Sequence, residues 1–471
     1  MRKRAAAVVL AAALAAGALW AQPAAAHGLA GRADLPIPPW LFGWAATMVL
    51  IVSFVALAAL WPTPRLQDPP LRGLGRFPGW PDALCGASGV ALFALVVYSG
   101  LSGTSTATEN FTPTFVYVIF WVGLVIASVL FGDVFRAFNP WRAAGRATGW
   151  LARRVAGDRI PAALPYPERL GRWPAVIGIL GFAWMELAYT NKADPATLAL
   201  LAIAYAVIQL IGQALYGVER WTERGDAFGV YFSLFARLAP LARRDGRLCW
   251  RPPLSGAPSL AVVPGTIALL CVMIGTTSFD GFSSTSVWTS IAPDLQRDFQ
   301  HLGFGRDASE MVVASYGLAF MVGVVAAVFW IGVRGMRTVG GGFRTSELGR
   351  RFVHTLVPIA VAYVLAHYFS LLLFQGQAIA ALASDPLGHG SDLFGTATAQ
   401  IDYGVVSAKT IWYVQVAALV SGHVAGLVLA HDRALALYDQ PRQATRSQYW
   451  MLVVMVGFTS LGLWLLSALN G

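Results

Sequence analysis

Residues 352–375 read FVHTLVPIAVAYVLAHYFSLLLFQ and contain no aspartate, glutamate, lysine or arginine. A helix needs about 20 apolar residues to cross the hydrocarbon core of a bilayer. Nine other segments meet this length approximately. The ten predicted spans are 40–61, 83–101, 113–133, 173–190, 195–217, 262–279, 311–333, 352–375, 408–431 and 449–468. The sequence therefore predicts an all-α, polytopic integral membrane protein with about ten transmembrane helices.

The overall composition agrees with this class. The chain has 471 residues, of which 56% are hydrophobic and 12% are charged, whereas an ordinary soluble domain is about 25% charged. This excludes a soluble globular protein, a disordered chain and a coiled coil. The net charge of +10 does not indicate nucleic-acid binding, because excess basic residues in a membrane protein usually mark its cytoplasmic loops. We expect the lipid bilayer as partner and no nucleic acid.

The N-terminal segment has the features of a cleavable signal peptide. Basic residues at positions 2–4 precede an apolar stretch that ends in Ala24, Ala25 and Ala26, and small residues of this kind form a cleavage site. We predict a signal peptide at 1–26 and a single transmembrane domain at 27–471. The alternative is an uncleaved first helix.

The distribution of basic residues predicts the orientation. The loops 62–82, 134–172, 218–261, 334–351 and 432–448 contain 26 arginines, whereas the alternate loops contain only a few basic residues. The positive-inside rule places the arginine-rich loops in the cytoplasm. We therefore predict that both termini of the mature chain lie outside, in a multi-pass protein of the bacterial inner membrane. Residues 226–240 are too short to span, and we expect them to lie on the inner membrane interface.

Ionisable side chains inside a membrane are costly and are therefore candidates for function. The candidate catalytic residues are Asp280, His367 and His423. Asp280 lies within a stretch rich in hydroxyl residues, 275–286, that predicts either a frayed helix end facing a cavity or an ordinary helix cap. For His423, which neighbours Gly422 and Gly426, the alternative is a hydrogen bond across a close helix contact. The polar residues expected to line a cavity are Glu186, Gln375, Gln377 and Gln415.

A metal site is a further hypothesis. Cleavage after Ala26 would give His27 a free α-amine beside its imidazole, and imidazole suits copper and zinc. The predicted outer loop 376–407 is acidic and contains one histidine. The candidate ligands are His27, His367, Asp385, His389 and Asp392, with copper or zinc as the candidate ion. The alternative is a solvated loop that binds no metal.

Several stretches together resemble a known group of sequences. They are 27–42, 61–66, Asn139-Pro-Trp141-Arg142, Thr277-Ser-Phe-Asp280-Gly, the loop 384–396 and Gly422-His423 through Asp432-Arg433. Over most of its length the chain resembles actinobacterial polytopic membrane proteins labelled fenitrothion hydrolase-like. The resemblance implies hydrolysis of organophosphate esters and assigns no catalytic residue. Such hydrolysis typically uses a metal-activated water, and this sequence lacks a dense histidine and carboxylate cluster.

Three functions remain open at this point. The first is a metal-dependent protein, such as a hydrolase, with a polar site that opens to the outer face and takes a small molecule or a metal ion. The second is a secondary transporter or proton-coupled carrier. The third is an assembly or scaffold subunit that handles copper and has a protein partner of unknown kind.

Two measurements on one purified sample test the predictions for the N-terminus and the metal. N-terminal sequencing should find His27 as the first residue, because the preceding alanines suit the cleavage enzyme. Elemental analysis should find stoichiometric copper or zinc if the metal hypothesis holds. A sample that retains Met1 would contradict cleavage, and a metal-free sample with His27 first would contradict the metal site alone.

Overall fold

The structure, a computed structural model, describes residues 39–76, 79–157, 161–244 and 246–469, and 72% of these described residues are helical. The predicted signal peptide and His27 lie outside the described residues. In chain order the helices are α1 (Pro39–Leu60), α2 (Gly79–Ser102), α3 (Phe111–Phe131), α4 (Val134–Phe138), α5 (Pro140–Ala156), α6 (Trp173–Leu187), α7 (Pro195–Tyr216), α8 (Val218–Arg224), α9 (Ala227–Ala236), α10 (Thr266–Ser283), α11 (Ser286–His301), α12 (Arg306–Arg337), α13 (Thr345–Phe352), α14 (Leu356–Gln375), α15 (Ile379–Ser384), α16 (Ala408–Leu437) and α17 (Pro441–Leu469).

The described residues include nine helices that are long and apolar enough to cross a membrane. They correspond to nine of the ten predicted spans, so the class of polytopic membrane protein is confirmed. The remaining predicted span, 173–190, is the helix α6, which has only 15 residues. Its length of about 22 Å is less than the roughly 30 Å of a bilayer core.

The helix α6 nevertheless joins the two ends of the bundle. Just before it, the Arg172 guanidinium donates a hydrogen bond to the carbonyl of Ala261, in a predicted inner loop. Just after it, the carbonyl of Lys192 accepts a hydrogen bond from the Tyr117 hydroxyl, near the beginning of α3. The chain therefore passes along α6 from one end of the helix bundle to the other, as the predicted alternation of inner and outer loops requires.

The arginine-rich loops, which were predicted to lie on the same side of the membrane, contact one another. Asp82 forms ion pairs with Arg146 and Arg243, which come from two other arginine-rich loops. Arg433 donates to the carbonyl of Pro258. We call this the arginine-rich end. At the opposite end, which we call the acidic-loop end, the loop that follows α2 bonds to the loop 376–407 through Thr104 N and Leu387 O.

The structure agrees with the all-α prediction, apart from one small sheet at the arginine-rich end that the sequence did not predict. The strands β1 (Arg72–Arg76), β2 (Leu241–Arg244) and β3 (Arg247–Trp250) pair antiparallel in the order β1-β3-β2, with Arg72 opposite Trp250. The strands are short and come from two distant loops. Hydropathy patterns do not reveal such pairing, because the strands are short and mostly polar. In addition, β1 is far in sequence from its partner β3, although β2 and β3 are neighbours in one loop.

The bundle has two groups of packed helices. The first contains α10, α12, α14, α16 and α17, with α1 packed on its outside. The second contains α2 to α5 and α7. The helices α6 and α9 lie between the groups, because α6 packs against α10 and α9, and α9 also contacts α3 and α14.

The interfacial location expected for residues 226–240 is wrong. Every residue of α9 except Ser233 is buried within the protein. The helix has apolar side chains all around its circumference, and Tyr231 stacks on Trp121 with ring centroids 4.6 Å apart. A helix that is apolar on all sides is typically buried rather than interfacial.

Asp226, which precedes α9, holds several elements together. Its carboxylate is fully buried and accepts hydrogen bonds from Asn139 Nδ2 at 2.7 Å, Trp141 Nε1 at 2.8 Å and the Tyr205 hydroxyl at 2.8 Å. It also accepts one from the backbone N–H of Gly229, which caps α9. One side chain thus connects α5, α7 and α9.

We expect Asp226→Ala to lower the free energy of unfolding by about 3 kcal/mol or more, because each buried donor left without a partner costs about 1–3 kcal/mol. Thermal unfolding in detergent would measure the change. Asp298→Ala, at an exposed position of α11, is the matched control. Equal stability of the two variants would contradict a structural role for Asp226.

Candidate functional site

The predicted residues Asp280 and His367 meet between α10 and α14. The Nε2 atom of His367 lies 2.7 Å from Oδ2 of Asp280. Both side chains are mostly buried, with 26% of the Asp280 side chain and 13% of the His367 side chain exposed. An aspartate and a histidine from helices 87 residues apart thus form one hydrogen-bonded pair within the bundle.

The helix around Asp280 is regular. The first of the two predicted alternatives, a frayed helix end, is therefore not observed. The helix α10 continues through Asp280 to Ser283. Along it, the hydroxyls of Thr277 and Ser278 bond back to the carbonyls of Met273 and Ile274. Such bonds satisfy hydroxyl groups inside a helix, so Asp280 is presented by a regular helix rather than by unwound backbone.

Tyr368 completes the cluster and was not among the predicted site residues. Its hydroxyl donates a hydrogen bond of 2.7 Å to the same Oδ2 atom of Asp280. Its ring also meets the ring of His367 edge to face, with centroids 4.6 Å apart. The only sequence signal was its position beside His367, which is weak because neighbouring helical residues point in different directions.

Glu186 lies on α6, close to this cluster. It is half-buried and interacts electrostatically with Asp280 and with Tyr368. Lys192 acts electrostatically on both Glu186 and Asp280. The structure therefore groups Asp280, His367, Tyr368 and Glu186, which we call the carboxylate–histidine cluster, with the positive charge of Lys192 nearby.

A small cavity adjoins the cluster. Its volume is about 20 Å³, and its wall includes Thr277, Ser278, Tyr363 and His367. A volume of roughly 10–15 Å³ and polar partners are sufficient to hold a water molecule. The cavity therefore offers a place for one water beside the imidazole.

His423 does not belong to this cluster. It is completely buried, and its Nδ1 atom lies 2.8 Å from the carbonyl oxygen of Leu419, one turn earlier. No described residue bonds to its Nε2 atom. Gly422 lies against Ala362 and Pro358 of α14 so closely that a side chain would not fit. His423 therefore flanks a close helix contact, as expected, but its hydrogen bond is made within its own helix and not across the contact.

The three predicted glutamines also lie apart from the cluster. The side-chain amide of Gln377 donates a hydrogen bond from Nε2 to the carbonyl of Asp402 and accepts one at Oε1 from the backbone N–H of Asp402. These two bonds hold the loop 376–407 in place. Gln375 is half-buried at the end of α14. Gln415 is buried, and its Oε1 atom has no partner among the described residues.

The carboxylates proposed as metal ligands serve the loop itself. Asp385 accepts hydrogen bonds from the backbone of His389 and Gly390 and from the Ser391 hydroxyl. Asp392 accepts from Ser384 and from the backbone of Ala397, and these bonds lower the pKa of its carboxyl group. His389 is exposed.

Within the described residues, no three side chains of His, Cys, Asp or Glu come close enough together to hold a metal ion. The proposed ligand His27 lies outside these residues. The structure thus unites His367 with Asp280 rather than with the loop residues Asp385, His389 and Asp392.

The fold and the cluster define a class: an α-helical, polytopic membrane protein with a carboxylate–histidine pair buried in its helix bundle. Comparison with protein-family models, with curated proteins and with solved structures finds no match. The function is therefore argued from the cluster itself.

We expect Tyr368→Phe to lower the free energy of unfolding by about 2 kcal/mol, because a hydrogen bond to a charged group contributes roughly 1.5–3 kcal/mol. Thermal unfolding in detergent would detect the loss. Tyr403→Phe is the control, since Tyr403 is 60% exposed. If both variants unfold like the wild type, the Tyr368 hydroxyl does not stabilise Asp280.

Proposed function

We propose that the chain is a proton-coupled carrier of the bacterial inner membrane, and that Asp280 and His367 form its proton-binding site. The observation that carries this proposal is the sharing of one Asp280 oxygen by His367 and Tyr368 inside the bundle. Buried carboxylates and histidines of this kind form proton relays in pumps and transporters.

The chemistry of the pair suits proton exchange. Histidine is the side chain whose unperturbed pKa lies nearest to neutral pH. When both ring nitrogens of His367 carry a proton, the Nε2–H group donates a hydrogen bond to Oδ2 of Asp280, and the two side chains form an ion pair. When His367 loses a proton through its other ring nitrogen, the small cavity beside the imidazole offers a water as acceptor.

The neighbouring charges support the same proposal. Glu186 is a second carboxylate within electrostatic reach of Asp280. Two carboxylates near each other disfavour simultaneous ionisation, so that binding of a proton by one of them is favoured. Lys192, which lies near the acidic-loop end, offsets part of this repulsion.

The proposed orientation puts the site in the outer half of the membrane. The arginine-rich end would face the cytoplasm by the positive-inside rule, with both mature termini outside after removal of the signal peptide. Asp280 is close to the C-terminal end of α10, which then lies towards the outer face. Protons would therefore enter the site from outside.

The other two functions have less support. A metal-dependent hydrolase, as the resemblance to fenitrothion hydrolase-like proteins implies, or a copper-handling scaffold needs a set of metal ligands. The described residues bring no such set together. The carboxylate–histidine pair, in contrast, needs no further residue to bind and release a proton.

Proton flux into proteoliposomes tests the proposal. The vesicles contain a pH-sensitive dye, and a potassium gradient with valinomycin drives protons inward. We expect the wild type to conduct protons faster than empty vesicles, and Asp280→Asn and His367→Gln to abolish the difference, because neither replacement can hold the exchanged proton.

The control is Asp298→Asn, which changes an exposed carboxylate outside the cluster and should leave the flux unchanged. Wild-type flux equal to that of empty vesicles would contradict the proposal. So would undiminished flux in Asp280→Asn.

A further inference from the structure

A large apolar cavity lies between α2, α3, α6 and α7, on the other side of α6 from Asp280. Its volume is about 860 Å³, which is within the roughly 300–1,000 Å³ of small-molecule sites. Its wall includes Leu92, Phe93, Phe120, Phe182 and Leu201. None of Asp280, His367 and Glu186 lines it, so the cavity is separate from the proposed proton site.

Four of the five side chains in the wall that carry an N–H or O–H group are already engaged in hydrogen bonds, the fifth being Tyr189. The Tyr205 hydroxyl and Trp141 Nε1 bond to Asp226, the Thr197 hydroxyl bonds to Asp194, and Trp184 Nε1 bonds to a serine of α12. These residues present carbon atoms and ring faces to the cavity. The part of a ligand that fits inside is therefore a hydrocarbon.

The length of the cavity indicates a chain rather than a compact molecule. Along α7 the wall extends from Thr197, near the acidic-loop end, to Ile208. Eleven residues of helix correspond to about 16 Å, which is close to half of the roughly 30 Å hydrocarbon thickness. At the inner limit of the cavity, Trp141 and Tyr205 donate hydrogen bonds to Asp226. The cavity thus has the depth of one bilayer leaflet.

The cavity opens at the side of the protein. The helices α6 and α7 follow each other in the chain but make few direct contacts, because the cavity separates them. Two of its lining residues on α7, Leu201 and Ile208, are 44% and 57% exposed. A hydrocarbon chain in the bilayer can therefore enter between the two helices without leaving the membrane.

A positive charge lies at the mouth of this opening. Lys192 belongs to the loop that joins α6 to α7, and its side chain is exposed. In sequence, Lys192 lies between Tyr189 and Thr197, which both line the cavity, so a phosphate near this loop would be attracted to its ammonium group. This charge favours a phospholipid over an uncharged isoprenoid.

We propose that this cavity binds one acyl chain of a phospholipid from the leaflet at the acidic-loop end, with the phosphate beside Lys192. The binding energy comes from burial of the chain against aromatic and aliphatic side chains, and the ammonium group selects the head group. The site would hold a bound lipid between the two groups of helices.

Gly181 allows a direct test, because it lines the cavity and a Cβ atom added there would meet no atom within 4 Å. Gly181→Phe therefore fills the cavity without a backbone clash. Gly323→Phe is the matched control, since Gly323 lies in the middle of α12, is exposed and also has no atom within 4 Å of an added Cβ.

The proteins are purified in a mild detergent, and the retained lipid is extracted and identified by mass spectrometry. We expect stoichiometric phospholipid with the wild type and with Gly323→Phe. Gly181→Phe should retain about tenfold less, a change equivalent to about 1.4 kcal/mol in affinity. Ala202→Phe, on the opposite wall of the cavity, should have the same effect. Thermal unfolding establishes that each variant is folded.

Three results would overturn the proposal. They are a wild-type protein without retained phospholipid after incubation with phosphatidylglycerol vesicles, equal retention by folded Gly181→Phe and Gly323→Phe, and recovery of an isoprenoid in place of a phospholipid. None of them bears on the proton site, because Gly181, Ala202 and Gly323 do not contact the carboxylate–histidine cluster.

Discussion

A polar group inside an apolar helix bundle must find its hydrogen-bond partners within the protein, because no water is there to provide them. Three buried aspartates meet this requirement by collecting donors from distant parts of the chain. Asp432 is fully buried and accepts hydrogen bonds from Trp61 Nε1 and from the backbone of Leu66, which attaches the segment after α1 to α16. Asp226 connects α5, α7 and α9 in the same way. Asp280 connects α10 to α14. The arrangement of the helices depends on these convergent contacts.

The partners of these aspartates explain why only one of them is assigned a proton site. The donors to Asp226 and Asp432 are indole, amide, hydroxyl and backbone groups, which do not exchange protons near neutral pH. Asp280 is paired with His367, whose imidazole has a second ring nitrogen that can carry a proton. It also lies within electrostatic reach of a second carboxylate, Glu186, and of a cation. The chemistry of the neighbouring side chain therefore decides which of the three aspartates is assigned a proton site.

The short helix α6 separates the two candidate sites. Its Glu186 interacts with Asp280, whereas Gly181 and Phe182 line the apolar cavity. Since α6 packs against α9 and α10 but hardly against α7, the cavity persists between helices that are consecutive in the chain. The helix α6 has only 15 residues, and the buried α9 lies beside it. For this reason, predictions based on the length of apolar segments were least accurate in this region. A hydropathy pattern predicts that a segment is apolar, but it does not distinguish lipid from protein as the surrounding medium.

The sequence by itself determined nine of the spans, the grouping of loops at the two ends, and the presence of Asp280, His367 and Glu186 in one half of the bundle. These follow from local hydropathy, charge and the rise of a helix, all of which are readable along the chain. Only the tertiary structure decided that Asp280 pairs with His367, that Tyr368 donates a hydrogen bond to Asp280 and that His423 does not belong to this cluster. It also decided the burial of α9, the small sheet and the apolar cavity. Each depends on which helix faces pack together, and this is set by contacts between residues far apart in sequence.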